Sequence, residues 1–269
     1  MADCISYRNT NYFSELLLDY LEEKENLREF YSQFPLLENF KKQVETKQNS
    51  FTLEHRKVLV KSLQLQYENV EVSEATQENI QSLTEENTFT VTTGHQLNLF
   101  TGPLYFLYKI ISAINLAKEL KETYPEYNFV PIYWMASEDH DFEEINYFNF
   151  KKEKIKWDST QTGAVGEFST EGLEEVLTQF REQLSNSDAA EELIQLFQEA
   201  YLTHQNLTEA TRYIANQLFL DDGLVIVDGN DAQLKTLFKP FVKEELLQQT
   251  SSEKVTSSAD KLAAKGYKV

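Results

Sequence analysis

The chain has 269 residues, long enough to bury nearly three quarters of its extended surface in one large domain or two modest ones. Its 44 acidic against 25 basic residues give a formal charge of −19, which argues against non-specific nucleic-acid binding and against an anionic membrane surface. Hydrophobic residues at 41% and aromatics at 13% exclude a disordered chain.

The only cysteine, Cys4, allows no internal disulfide and no CxxC zinc pair. The opening MADCISYRNTNYF lacks the basic-then-apolar order of a signal peptide. No apolar run approaches the roughly 20 residues of a membrane span, so a cytoplasmic location is expected. The few glycines and prolines predict long regular elements.

An N-terminal helical segment is expected over 1–86. Phe13, Leu16, Leu17, Tyr20 and Leu21 repeat at helical spacing, followed by Leu27, Phe30 and Tyr31. Ser50 is expected to cap a helix carrying Leu53, Val58, Leu59 and Leu63, and Ser73 precedes another carrying Ile80.

The texture changes in 87–150. TFTVTT, from Thr88, reads as a buried β-branched strand, GHQLNLFTGP as a loop, and Pro103 as the first turn of a helix running to about Lys121. That helix is expected to bury Leu107, Ile110, Ile111, Ile114, Ala117 and Leu120. NFVPIYWMA is a second apolar strand, with Tyr133 and Trp134 expected in the core. Strand, helix, strand is the parallel βαβ unit.

Residues 151–220 read as an insertion. A hairpin spans about 147–168, and three amphipathic helices follow, marked by Leu173 to Leu184, Leu193 to Phe197, and Ile214 to Phe219. From 221 to 269 the chain returns to the core through LVIVDG. A linker-like stretch is expected at 248–258, then a short helix stopped at Gly266. Tyr267-Lys268-Val269 reads as the first step of a further strand, so the chain reads as the front of a longer enzyme. The fold class is α/β with a Rossmann-like parallel sheet.

Ligands of open parallel sheets bind beyond the carboxyl ends of the strands. Two polar clusters fall there: Thr92 to Asn98 and Ser137 to Asp141. Thr92-Thr93-Gly94-His95 fits the T/H-x-G-H pattern of nucleotidylyltransferases and class I aminoacyl-tRNA synthetases. There Gly94 lets backbone approach a phosphate, and the helix start near Gly102 offers N–H donors. His95 and His140 are expected to face one crevice. Glu138, Asp139 and Asp141 around His140 suit an amine or Mg²⁺. No spacing supports a zinc site. Tyr105, Lys109 and Arg212 are the candidates beside an anionic group, and Asp228 ends the third strand. The bland alternatives are helix caps, a solvated acidic loop and, for Lys109, a snorkelling side chain.

TTGHQLNLFTGPLYFLYKIISAINLAKEL, VPIYWMASEDHDFEEIN and GLVIVDGNDAQLKTLFKPFVKEEL together resemble the bacillithiol biosynthesis cysteine-adding enzymes, from about residue 88 to the end. The resemblance implies a synthetase-like Rossmann core, a later coiled coil and a homodimer. It implies addition of L-cysteine to the amine of glucosaminyl malate, with ATP and Mg²⁺ activating the cysteine carboxylate. Many members read Gly-Gln-Gln at Gly94-His95-Gln96, so the resemblance carries no catalytic role to His95. Read from the chemistry of the residues themselves, His95, His140 and Asp139 are the catalytic candidates. Thr92, Gly94, Gln96, Asn98, Gly102, Tyr105, Lys109, Glu138, Asp141, Arg212 and Asp228 bind substrate or nucleotide, with no protein-held metal. The alternatives are a nucleotidyltransferase on another small substrate and a non-catalytic scaffold.

Overall fold

The computed structural model describes residues 4–269; Met1–Asp3, at the head of the stretch read for a signal peptide, lie outside the described residues. Contacts group the chain into two compact units, Gln48–Leu237 and Met1–Lys47 with Phe238–Val269.

In chain order the helices are α1 (Glu15–Leu21), α2 (Phe40–Gln48), α3 (Leu53–Gln66), α4 (Glu74–Ser82), α5 (Tyr105–Thr123), α6 (Phe142–Ile145), α7 (Leu173–Gln183), α8 (Asp188–Thr203), α9 (Leu207–Leu218), α10 (Ala232–Gln248) and α11 (Thr250–Ala264). The strands are β1 (Thr88–His95), β2 (Asn128–Met135), β3 (Tyr147–Phe150), β4 (Glu153–Lys156) and β5 (Val225–Asp228).

The larger unit is built on a parallel sheet of order β1-β2-β5. Its register sets Gly94 beside Trp134 and Trp134 beside Val227. β2 is central yet contains Pro131, which is tolerated because β5 pairs only from Ile132 onward. β1, α5 and β2 form the expected βαβ order. α5 buries Phe106, Ile110, Ile114, Ala117 and Leu120, and Phe106 packs edge-on against Tyr133 at 5.4 Å. Ile111, expected inside, is exposed: it lies on the outer flank of the helix.

Two caps differ in outcome. Ser73 caps α4 as expected, whereas α3 is capped by Thr52, whose hydroxyl accepts from the His55 N–H, and not by Ser50. The expected hairpin forms as β3–β4, and α7 buries Leu173, Val176, Leu177 and Phe180 as anticipated, but Leu218, expected in the third stripe, is 43% exposed at the end of α9. Phe100, in the loop after β1, is clamped by Phe148, Phe180, Phe197 and Tyr201. Burying such a ring contributes about 1.5–3 kcal/mol, so the site loop is anchored to the helical layer.

In the smaller unit, Ser14 caps α1, and Arg8 pairs with Glu15, Asp19 and Glu22. The linker expected at 248–258 is largely helix: α10 runs to Gln248, Gln249 turns at φ 54, and α11 starts at Thr250. Its glutamine, glutamate and lysine residues have adequate helix propensity, which the polar composition masked. Gly266 ends α11 at φ 90 as expected. Tyr267–Val269 does not enter a strand. The Tyr267 ring is buried, and its hydroxyl donates to Asp19 Oδ2 at 2.7 Å and accepts from Asn26 Nδ2 at 2.8 Å. Among the described residues no helix is long and apolar enough to cross a membrane.

Candidate functional site at the carboxyl ends of the strands

β1 is an edge strand, and its burial alternates. Thr90, Thr92 and Gly94 are exposed, so the strand expected to be buried is open on one face. Register and pleat put those residues on the same face as Val130, Ile132 and Trp134. The opposite face carries Tyr133, against which α5 packs.

Trp134, expected in the core, is 37% exposed in a strand otherwise almost wholly buried. Two glycines explain it. A Cβ on Gly94 would stand 3.9 Å from Trp134 Cβ and Cδ1, so the glycine leaves that side of the indole without a side chain. Beyond β5, a Cβ on Gly229 would come within 2.8 Å of ring atom Cζ2 and 2.7 Å of Glu138 Oε2. The absence of that carbon lets the indole and the carboxylate settle onto the end of β5.

Gln96 ties the two predicted clusters together. Its Nε2 donates to Asp139 Oδ2 at 3.1 Å and to Glu144 Oε2 at 2.9 Å. The Asp141 N–H donates to Asp139 Oδ1 at 2.9 Å. That backbone bond, with help from Gln96, holds the Asp139 carboxyl below the usual range, so it is ionised at neutral pH. With both oxygens engaged, Asp139 frames the loop. His140 projects into solvent with its side chain 83% exposed, and its Nε2 lies 3.7 Å from Asp141 Oδ1.

The structure does not present the two histidines alike. His95 is only 8% exposed, packed against Tyr105 and Phe106, with Nδ1 at 2.9 Å from the Gln96 carbonyl. A carbonyl only accepts, so Nδ1 carries the proton. Burial, and then the nearby Lys109 charge, lower its pKa, so the ring is neutral. Lys109 itself donates from Nζ to the Gly94 carbonyl. Asn98 packs against Gly102, whose φ of 53 and crowded Cβ position both demand glycine. Gly102 therefore serves the loop's own packing. Phe100 and Thr101 also hold left-handed φ values of 50 and 66, and the Phe100 N–H is anchored on the Tyr201 hydroxyl at 2.9 Å.

At the end of β5, Asp228 accepts from the Ser137 hydroxyl and from the Asn230 N–H at 2.9 Å. Asn230 Nδ2 reaches Glu167 Oε1 at 2.9 Å. Arg212 does not face this crevice. It is buried beneath it, donating to the Ile226 carbonyl and to Gln66 Oε1, each at 2.9 Å, with its guanidinium 5.0 Å from the Tyr67 ring centre. Gln66 Oε1 in turn accepts from the Asp228 N–H at 2.8 Å. Arg212 thus braces β5 from below. Its helix is amphipathic, and position 212 lies on the buried side, a feature that its charge obscured in the sequence.

The polar groups here are mostly acidic: Glu138, Asp139, Asp141, Glu144 and Asp228, against Lys109 and Lys235. Ligand atoms of Asp139, His140 and Asp141 lie within 4.8 Å of one another, and their oxygens suit a hard cation. This end of the sheet does not favour a free triphosphate, because its carboxylates outnumber two lysines, Lys109 on the Gly94 carbonyl and Lys235 on Asn230 Oδ1.

Over residues 1–269 the chain matches the family described as "Bacillithiol biosynthesis BshC, N-terminal Rossmann-like domain". Among its relatives, the protein of Flavobacterium psychrophilum named "Putative cysteine ligase BshC" is 57% identical over 97% of this chain and 49% of its own length. The same name belongs to a Flavobacterium johnsoniae protein at 56% identity, covering 97% of this chain and 49% of its own. A Bacillus anthracis protein so named is 28% identical over 85% of this chain and 44% of its own. The chain spans about half the length of the curated relatives it matches. On its own sheet, motifs and matched length, the chain belongs to the BshC family of bacillithiol biosynthesis, as its N-terminal Rossmann-like domain.

Proposed function

We propose that this chain is the substrate-binding front of a cysteine ligase that joins L-cysteine to the amine of glucosaminyl malate, forming an amide. The observation that carries the reading is the cluster of carboxylates beyond the carboxyl ends of β1, β2 and β5, where Gln96 bridges Asp139 and Glu144. Negative charge there attracts an ammonium group. The amine must lose a proton to attack a carbonyl carbon, and the solvent-facing His140 and Glu138 are the groups free to take it. Asp139 holds the loop that presents them. His95, neutral and packed, shapes the β1 turn, and Lys109 pins the Gly94 carbonyl beside the ligand face.

Activation of the cysteine carboxylate by ATP belongs to this reading as the source of driving force, and a synthetase-like or nucleotidyltransferase-like origin of the core would go with it. ATP would enter as its magnesium complex, which the exposed Asp141 carboxylate beside Asp139 would help hold. The full-length protein is proposed to work as a cytoplasmic homodimer. The test is incubation of full-length protein with cysteine, glucosaminyl malate and Mg-ATP, reading the product by mass spectrometry. His140→Ala is expected to abolish product while leaving the circular dichroism spectrum unchanged. Full activity in that variant removes His140 from the chemistry.

A further inference from the structure

The exposed Trp134 is not explained by folding. Its neighbours along β2, Tyr133 and Met135, are fully buried, and it ends on a face of the sheet that α5 does not cover. Gly229 packs its backbone against the indole edge, and Gly94 on β1 adds no side chain over it, which leaves the ring partly open at 37% exposure. Glu138 lies against the same glycine, so a carboxylate borders the ring. The exposed Thr90 and Thr92 extend the face along β1, and the Thr92 hydroxyl donates to Thr90 Oγ1 at 3.3 Å, leaving its own oxygen able to accept.

We propose that Trp134 is the floor of an amino-sugar subsite, with Glu138 taking the ammonium and Thr92 a ring hydroxyl. This rests on the ligase reading and deepens it by assigning the residue that selects the amine substrate. A pyranose presents an apolar C–H face that an indole can cover, and the indole face attracts a cation more strongly than any other aromatic side chain. A nucleobase would also stack on indole, but its phosphates would meet the five carboxylates of the crevice. The ammonium of the amino sugar carries the opposite charge and is drawn to Glu138, with the malate carboxylates directed away from the acidic groups.

Of this chain's two tryptophans, Trp157 is only 1% exposed and donates to the Glu171 carbonyl at 3.0 Å, so the difference between wild type and Trp134→Phe isolates the Trp134 signal. Emission of the full-length protein is followed during titration with glucosamine, glucosaminyl malate, glucose and Mg-ATP. The amino sugars are expected to change the emission, and Trp134→Phe to erase the change through Trp134. In steady-state assays Trp134→Ala is expected to raise KM for glucosaminyl malate about tenfold while KM for cysteine stays within about twofold, and Trp134→Phe to restore most of the loss. An emission response to Mg-ATP alone, a rise in KM for cysteine alone, or unchanged KM values would overturn the platform. Failure of wild-type protein to make product would instead sink the ligase reading, since the titration needs no turnover.

Discussion

Arg212→Ala separates a bracing role from a binding one. The guanidinium makes two charge-assisted hydrogen bonds, to the Ile226 carbonyl and Gln66 Oε1. Such bonds contribute about 1.5–3 kcal/mol each, so truncation removes roughly 3–6 kcal/mol of interaction. Burial lowers the Arg212 pKa, showing that the fold bears a desolvation penalty for the cation, and removing the charge returns part of that. A net loss of about 3 kcal/mol follows, which for a unit of this size lowers Tm by roughly 6–12 °C. Differential scanning calorimetry of the variant and of Arg212→Met, which refills volume without charge, measures it. Met is expected to recover part of the loss, with KM values for both substrates changed less than about threefold. An unchanged Tm with a steep rise in KM for a carboxylate substrate would refute the bracing role and place the guanidinium at the ligand.

His95 titrates below its ordinary value in the fold, so the unfolded chain binds the proton first as pH falls. Stability therefore declines on acidification through the interval below about 6.5 and is fully present above it; His95→Gln is expected to flatten that part of the urea-midpoint profile. Gln96→Ala leaves Asp139 and Glu144 without their shared donor, so kcat/KM is expected to fall at least about tenfold with under about 1 kcal/mol of stability lost, read by kinetics and urea melts on one preparation. Tyr201→Phe strands the buried Phe100 N–H beside two left-handed residues, which should cost about 1–3 kcal/mol and speed proteolysis within 98–102.

Local chemistry made much of the core legible. β-branched runs marked β1, β2 and β5, helical spacing marked α5 and α7 to α9, and the parallel order placed both polar clusters at one end of the sheet. What the residues could not reveal were facts of neighbourhood. Trp134 has the character of a core residue, and its partial exposure depends on two glycines distant in sequence, Gly94 beside it on β1 and Gly229 just past β5. Arg212 looks like a surface cation until α9 turns it toward Ile226. His95 and His140 follow similar strand ends, yet one turn folds its ring under α5 and the other leaves it in water. The polar 248–258 stretch misled because composition speaks of solvation and not of backbone conformation.

The central claim is the addition of cysteine to an amino sugar, and thiol profiling in cells lacking the full-length gene tests it most directly. The account predicts loss of bacillithiol with accumulation of glucosaminyl malate, both reversed by the wild-type gene. Normal bacillithiol with no accumulation of glucosaminyl malate would contradict it.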